Sequence, residues 1–170
     1  MKYILFCAVI GLISGVRVGK VAFTALFSKD ATVGVHAVRG ASVAFTALLS
    51  KDTTVSAHAV VKYDRVLTNW GGAYQPTTGV FTAPYNGLYS ISCSLMSHPS
   101  NSVHVNIVKN GKKMSVVYSN AKTHPHASQT LQLRLNKGDQ IWIQNMNGVN
   151  AKFHDHGSYN VFSGFLINEL

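Results

Sequence analysis

Acidic side chains are scarce in this chain: six Asp and Glu stand against fifteen Lys and Arg, a formal net charge of +9. The six acids, Asp30, Asp52, Asp64, Asp139, Asp155 and Glu169, are scattered. That dispersal argues against two-carboxylate hydrolysis and against a strong calcium site, which needs several carboxylate oxygens. No phosphate-binding glycine loop, Gly-X-Ser-X-Gly or His-Glu-X-X-His motif occurs, so an enzyme is not expected. Cysteine is equally sparse. Cys7 and Cys93 are the only two, and Cys93 lies in the apolar run ISCSL, where an inert buried thiol is expected. There is no Gly-X-Y run, no sustained heptad, no helical periodicity of useful length and no Asn-X-Ser/Thr sequon. Charged residues amount to only 12% and apolar ones to 46%, which excludes a disordered polyelectrolyte. The 170 residues suffice for one domain with a sizeable core.

What is present begins with MKYILFCAVIGLISG, one Lys followed by an apolar run and then small residues. The run is too short to span a bilayer, so residues 1–15 read as a secretory signal peptide, and neither a transmembrane segment nor an intracellular location is expected. Cleavage near Gly15 removes Cys7 and leaves Cys93 alone, which rules out an internal disulfide in the mature chain. The remaining charge of +8 favours anionic partners such as phosphorylated or sulfated glycans and lipopolysaccharide, although the basic residues are spread along the chain. No nucleic-acid function is expected.

Residues 21–38 and 43–60 are near-copies, VAFTALFSKDATVGVHAV and VAFTALLSKDTTVSAHAV, offset by 22 positions. Each reads as a strand–turn–strand unit turning at Ser28-Lys29-Asp30 or Ser50-Lys51-Asp52. A sheet has one place for such a unit. The second copy runs directly into the following strands, so residues 16–42 are read as an extension carrying a surplus copy. Beyond Val61, β-rich runs alternate with turn signals, and strands are expected over 80–82, 88–96, 103–109, 114–118, 128–135, 140–144 and 161–167. Asn110-Gly111 between two alternating runs is the strongest hairpin signal. Many strands without helices imply an all-β, two-sheet sandwich.

One block has a specific spacing: KYDRVLTNWGGAYQPTTGVFTAPYNGLYSISC, with Tyr63, Asn69, Tyr74, Phe81, Gly87 and Tyr89 in order. Gly138-Asp139 before IWIQN and the terminal run Phe162-Ser163-Gly164-Phe165-Leu166 follow it. This pattern resembles the C1q globular domain family over residues 43–170. Tyr63 stands where that family usually has Phe, and Ile91 and Cys93 where it has aromatics. The resemblance implies a ten-stranded jelly roll, similar to tumour necrosis factor domains, associated as a homotrimer. It further implies that Phe81, Tyr89, Phe162 and Phe165 fill a core and a subunit seam and that Gly164 belongs to the same packing. Asn69, Gly71, Gly72 and Gly87 would shape loops, with Gly87 supplying an unusual backbone conformation at a turn.

Ligand candidates are basic and aromatic residues near loops: Lys112 and Lys113 after the hairpin turn, Lys122, His124 and His126, Lys152, His154 and His156, and Trp70. Trp70 suits either stacking on a sugar ring or, more readily, burial. The eight histidines are unusual. His124-Pro125-His126 and His154-Asp155-His156 are His-X-His pairs, which on extended backbone face one way and can chelate zinc or copper. With His98 and His104 they would alternatively form a surface that charges below about pH 6.5, or serve as polar loop residues. No cofactor is required; calcium or zinc remains open. The function implied is a secreted, lectin-like pattern-recognition protein of innate immunity that binds microbial glycans such as lipopolysaccharide. A signalling ligand for a cell-surface receptor and a matrix or scaffold component are the alternatives.

Overall fold

The structure, a computed structural model, describes residues 42–122, 124–156 and 158–170. The expected signal peptide and the first repeat copy lie outside the described residues. The described chain is all-β. One antiparallel sheet has the order β3-β1-β12-β6-β9, formed by Arg65–Trp70 (β3), Ala44–Leu48 (β1), Val161–Glu169 (β12), Gly87–Met96 (β6) and His126–Leu135 (β9). The other runs β4-β5-β10-β7-β8: Tyr74–Gln75 (β4), Val80–Thr82 (β5), Gln140–Asn145 (β10), Val103–Lys109 (β7) and Lys112–Ser119 (β8). These ten strands make the jelly-roll sandwich. A two-stranded ribbon of Thr53–Val55 (β2) and Ala151–Phe153 (β11) is added at one end.

The second copy of the repeat forms a strand, a turn and a strand, as its sequence suggests, but the two strands do not pair with each other. β1 pairs with β12 and β3, whereas β2 pairs only with β11, so its two halves enter different sheets. The turn residues Ser50-Lys51-Asp52 instead carry the chain from the sandwich to the ribbon. β3 shows no alternation of buried and exposed residues, for a physical reason. It is an edge strand exposed at nearly every position, so no period of two marks it.

The core lies between the two large sheets. Phe45 is its hub, stacking on Tyr74 and Phe81 with ring centroids 5.1 and 4.9 Å apart and meeting Phe162 edge-on at 4.8 Å. Tyr63, Tyr89, Ile91, Leu135 and Ile143 complete it, all fully buried. Each such ring contact adds about 0.5–1.5 kcal/mol beyond the burial of area. In β9, Leu135 is buried and Leu131 and Leu133 pack on the core, while Gln132 and Arg134 face water, the alternation that a one-sided sheet requires. Asn110 and Gly111 both have positive φ, +48° and +81°, the turn geometry that matches strand twist in a two-residue hairpin.

Gly87 does not have the unusual φ expected of it; it opens β6 in extended backbone. Its requirement is space. A Cβ there would lie 2.5 Å from Leu166 Cδ1 and 2.7 Å from the Asn168 carbonyl oxygen.

Candidate functional site

The antiparallel registers give the sandwich two distinct poles. At one, the turns at 84–86, 110–111 and 136–139 are tied together, with Asn110 Nδ2 donating to Asp139 and the Lys137 amide donating to Asn86. At the other, four segments converge. The Asp155 amide donates to Asp52 Oδ1 at 2.7 Å, the His98 amide to the Lys152 carbonyl at 3.0 Å, and the Lys122 amide to the Pro99 carbonyl at 2.9 Å. Lys112 and Lys113 start β8 opposite Lys109 and Val108, whereas Ser119 at its far end pairs Val103. A seven-residue strand is about 23 Å long, so these two lysines stand away from the histidine-bearing loops. The sequence-based ligand set is thereby split.

At the histidine pole the ribbon register places Phe153 opposite Thr53, which brings the next pair, His154 and Asp52, together. His154 Nδ1 lies 3.3 Å from Asp52 Oδ1. The β11 backbone also bridges the end of β6, with Phe153 opposite Ser97, so the His98 ring reaches within 6.0 Å of His154. The 120–125 loop supplies His124, whose ring centroid is 4.4 Å from that of His154, and His156 follows at 4.5 Å. Tyr159 stacks on the group at 6.2 Å. His126 belongs elsewhere. Its Nε2 donates to the Tyr159 carbonyl at 3.0 Å, so the His124-X-His126 pair does not act as one chelate. His104 packs edge-on against Tyr118, outside the cluster. Asp52 is the member the sequence reading missed, since only the ribbon register marks it.

The loop that carries His154 and His156 is organised by Asp155. This buried carboxylate accepts from the Ser158 amide at 2.7 Å and from the Asn160 amide and side chain at 3.3 and 3.0 Å. Asn160 Nδ2 also donates to the His154 carbonyl at 2.7 Å, locking that residue's backbone. The Asp155 amide, seconded by the neighbouring histidines, holds the Asp52 carboxyl below its ordinary value.

Beside this cluster runs a shallow groove of about 490 Å³ lined by Lys51, Asp52, Arg65, His156, Ser50 and Ser158 among others. Arg65 Nη1 donates to Ser158 Oγ at 3.3 Å, and Asp64 accepts from both the amide and the hydroxyl of Ser50, which fixes the groove wall. Lys122 and Lys152 are exposed at the same pole.

Trp70 is neither in this groove nor buried. It is 66% exposed on β3, and with Phe165, 50% exposed on β12, it lines a second hollow of about 420 Å³ on the outer face of the β3-β1-β12-β6-β9 sheet. Phe81, Tyr89, Phe162 and Tyr63 are inside the sandwich, as is Tyr74. Asn69 brackets the β3–β4 turn, donating to the Tyr74 carbonyl at 2.9 Å and accepting from its amide at 3.1 Å. Gly164 lets Phe45 and Ile91 approach β12 closely.

This sheet order and core agree with the comparisons with known proteins. The family model described as C1q domain matches residues 44–167. The chain belongs to the C1q domain family. Among curated relatives it is 33% identical to Complement C1q tumor necrosis factor-related protein 3 of Homo sapiens over 111 residues, 63% of this chain and 44% of that protein. It is 32% identical to Complement C1q tumor necrosis factor-related protein 6 of Mus musculus over 111 residues, 62% of this chain and 41% of that protein. The chain thus spans less than half the length of these relatives. The globular domain of zebrafish complement 1qA superposes with a TM-score of 0.65 at 21% identity, covering 76% of this chain and all of the other. Eiger TNF from S. frugiperda gives 0.60 at 12% identity, with 76% and 93% covered. Both likenesses concern the fold. No helix among the described residues of this C1q-domain chain is long and apolar enough to cross a membrane.

Proposed function

We propose that this C1q-domain protein is a secreted, homotrimeric pattern-recognition molecule that binds anionic microbial glycans, such as lipopolysaccharide, at its histidine-bearing pole. The observation that carries this reading is the groove lined by Lys51, Arg65 and His156 together with Asp52 and the hydroxyls of Ser50 and Ser158. Lys51 and Arg65 share the groove with the carboxylates of Asp52 and Asp155 and with two serine hydroxyls, a mixed lining that suits a sugar offering both phosphate groups to the cations and hydroxyls to the acceptors. The groove is shallow, so affinity per site is modest. Repetition around a trimer would raise avidity on a repetitive surface by about 10²–10⁴-fold. No catalytic step is part of this reading; the protein acts by binding.

The test is binding of the full chain to immobilised lipopolysaccharide and to the same material stripped of phosphate, over a salt titration. Binding should weaken with salt and with dephosphorylation, and Lys51→Glu with Arg65→Glu should lower affinity by at least about tenfold, roughly the 1.4 kcal/mol of one lost charge contact. Binding indifferent to salt and to both reversals would overturn it. The likeness to a tumor necrosis factor-related protein supports a second reading, a signalling ligand for a receptor. Tight saturable binding to a cell-surface protein with no glycan binding would select that alternative.

A further inference from the structure

His154 is more crowded by imidazoles than hydrogen bonding explains. Its Nδ1 is shielded from solvent and has no hydrogen-bond partner, although Asp52 Oδ1 faces it at 3.3 Å. A polar nitrogen in that state is costly unless it has a ligand. Three rings surround it, those of His124, His156 and His98, at centroid distances of 4.4, 4.5 and 6.0 Å. One ligand atom from each of Asp52, His154 and His156 lies within 4.8 Å of the others. We propose that Asp52, His154 and His156 bind a divalent transition metal ion, with zinc the best match.

The donor set carries the choice of ion. Two imidazole nitrogens and one carboxylate oxygen suit zinc and its neighbours, whereas calcium requires six to eight oxygen ligands that this pole does not gather. In a tetrahedral zinc site with bonds of about 2.0–2.1 Å, adjacent ligand atoms stand about 3.4 Å apart. The observed separation therefore closes by rotation of Asp52 and His156, both exposed, onto the half-buried His154. Three protein ligands leave a fourth position open to an incoming oxygen, while the His124 ring stands beside His154 at 4.4 Å between centroids. Asp155 is no ligand here, because its oxygens hold the amides of Ser158 and Asn160. Its role is to hold the loop that presents both histidines, the outer-shell support metal sites commonly use.

The site joins two segments a hundred residues apart, so metal binding should stabilise the fold. The experiment titrates zinc chloride into the full chain after chelator treatment, by calorimetry and by thermal melting, with no glycan present. One zinc per chain and a melting temperature raised by several degrees are expected, with no rise from calcium. Asp52→Asn, which keeps an acceptor for the Asp155 amide, and His156→Ala should each weaken binding by at least about tenfold, the lower bound that loss of an outer-shell partner alone would set. His126→Ala, whose ring is engaged by Tyr159, should leave it unchanged. Absence of saturable zinc binding, or affinity unaltered in both Asp52→Asn and His156→Ala, would sink the proposal. The readout is independent of lipopolysaccharide, so a failed glycan assay does not bear on it.

Discussion

At the scale of single residues, carboxylates in this protein act as clamps between loops. Asp139 accepts from Lys109 Nζ at 2.8 Å, from the Asn136 amide at 2.8 Å and from Asn110 Nδ2 at 2.7 Å. The Lys109 contact, then the amide, pull its pKa from 3.8 down to about 2. A carboxyl depressed in the folded state stabilises the fold while ionised, that is above its unfolded value, and this contribution is lost as pH falls from about 4 through about 2. Asp139→Ala should therefore cost about 1 kcal/mol at pH 7, allowing for solvent screening of this surface pair. The difference from the parent chain should shrink as melting is repeated from pH 4 toward pH 2; a constant difference would contradict the assignment. Cys93 shows the opposite effect. Burial pushes its thiol up to about 12, and Tyr63 OH contacts its Sγ at 3.6 Å, so the inert thiol read from ISCSL has a structural cause.

At the scale of elements, glycines in strands mark close approach as much as turns. Gly87 reads as a turn residue because Asn86 precedes it, yet its constraint comes from β12 crossing beside β6. Gly87→Ala would press a methyl against the Asn168 carbonyl, which a backbone locked in the ladder cannot yield, at a cost of about 1–3 kcal/mol. Chemical denaturation should show that loss, while Gly148→Ala, with open space around its added carbon, should stay within about 0.5 kcal/mol. The His-X-His pairs teach the same lesson. Spacing alone placed each pair on one face, but His126 turned to Tyr159 while His124 joined His154, because β9 begins between them and commits His126 to pairing with Met96. The distance between Lys113 and Lys122 was likewise illegible locally; it follows from the strand β8 that separates them.

At the scale of the whole molecule, one face of the sandwich carries an apolar surface. Leu67, Trp70, Phe165 and Ile167 are 57, 66, 50 and 46% exposed on the β3-β1-β12-β6-β9 sheet. Large aromatic side chains gathered in this way mark association surfaces, which supports the proposed homotrimer. Trp70→Glu combined with Phe165→Asp should lower the sedimentation-derived mass to that of one chain without unfolding it, since neither side chain fills the core. A parent chain that is already monomeric, or a double variant that still assembles, would contradict this surface as the seam.

The sequence by itself determined the fold class, because alternation, hairpin chemistry and the spaced anchors from Tyr63 to Tyr89 are local or near-local signals that sheets must obey. Phe45 as hub, Trp70 as a surface residue and Asp52 as the partner of His154 were decided only by tertiary structure. Each depends on which strands become neighbours, and pairing between residues a hundred positions apart leaves no periodic trace in a single sequence.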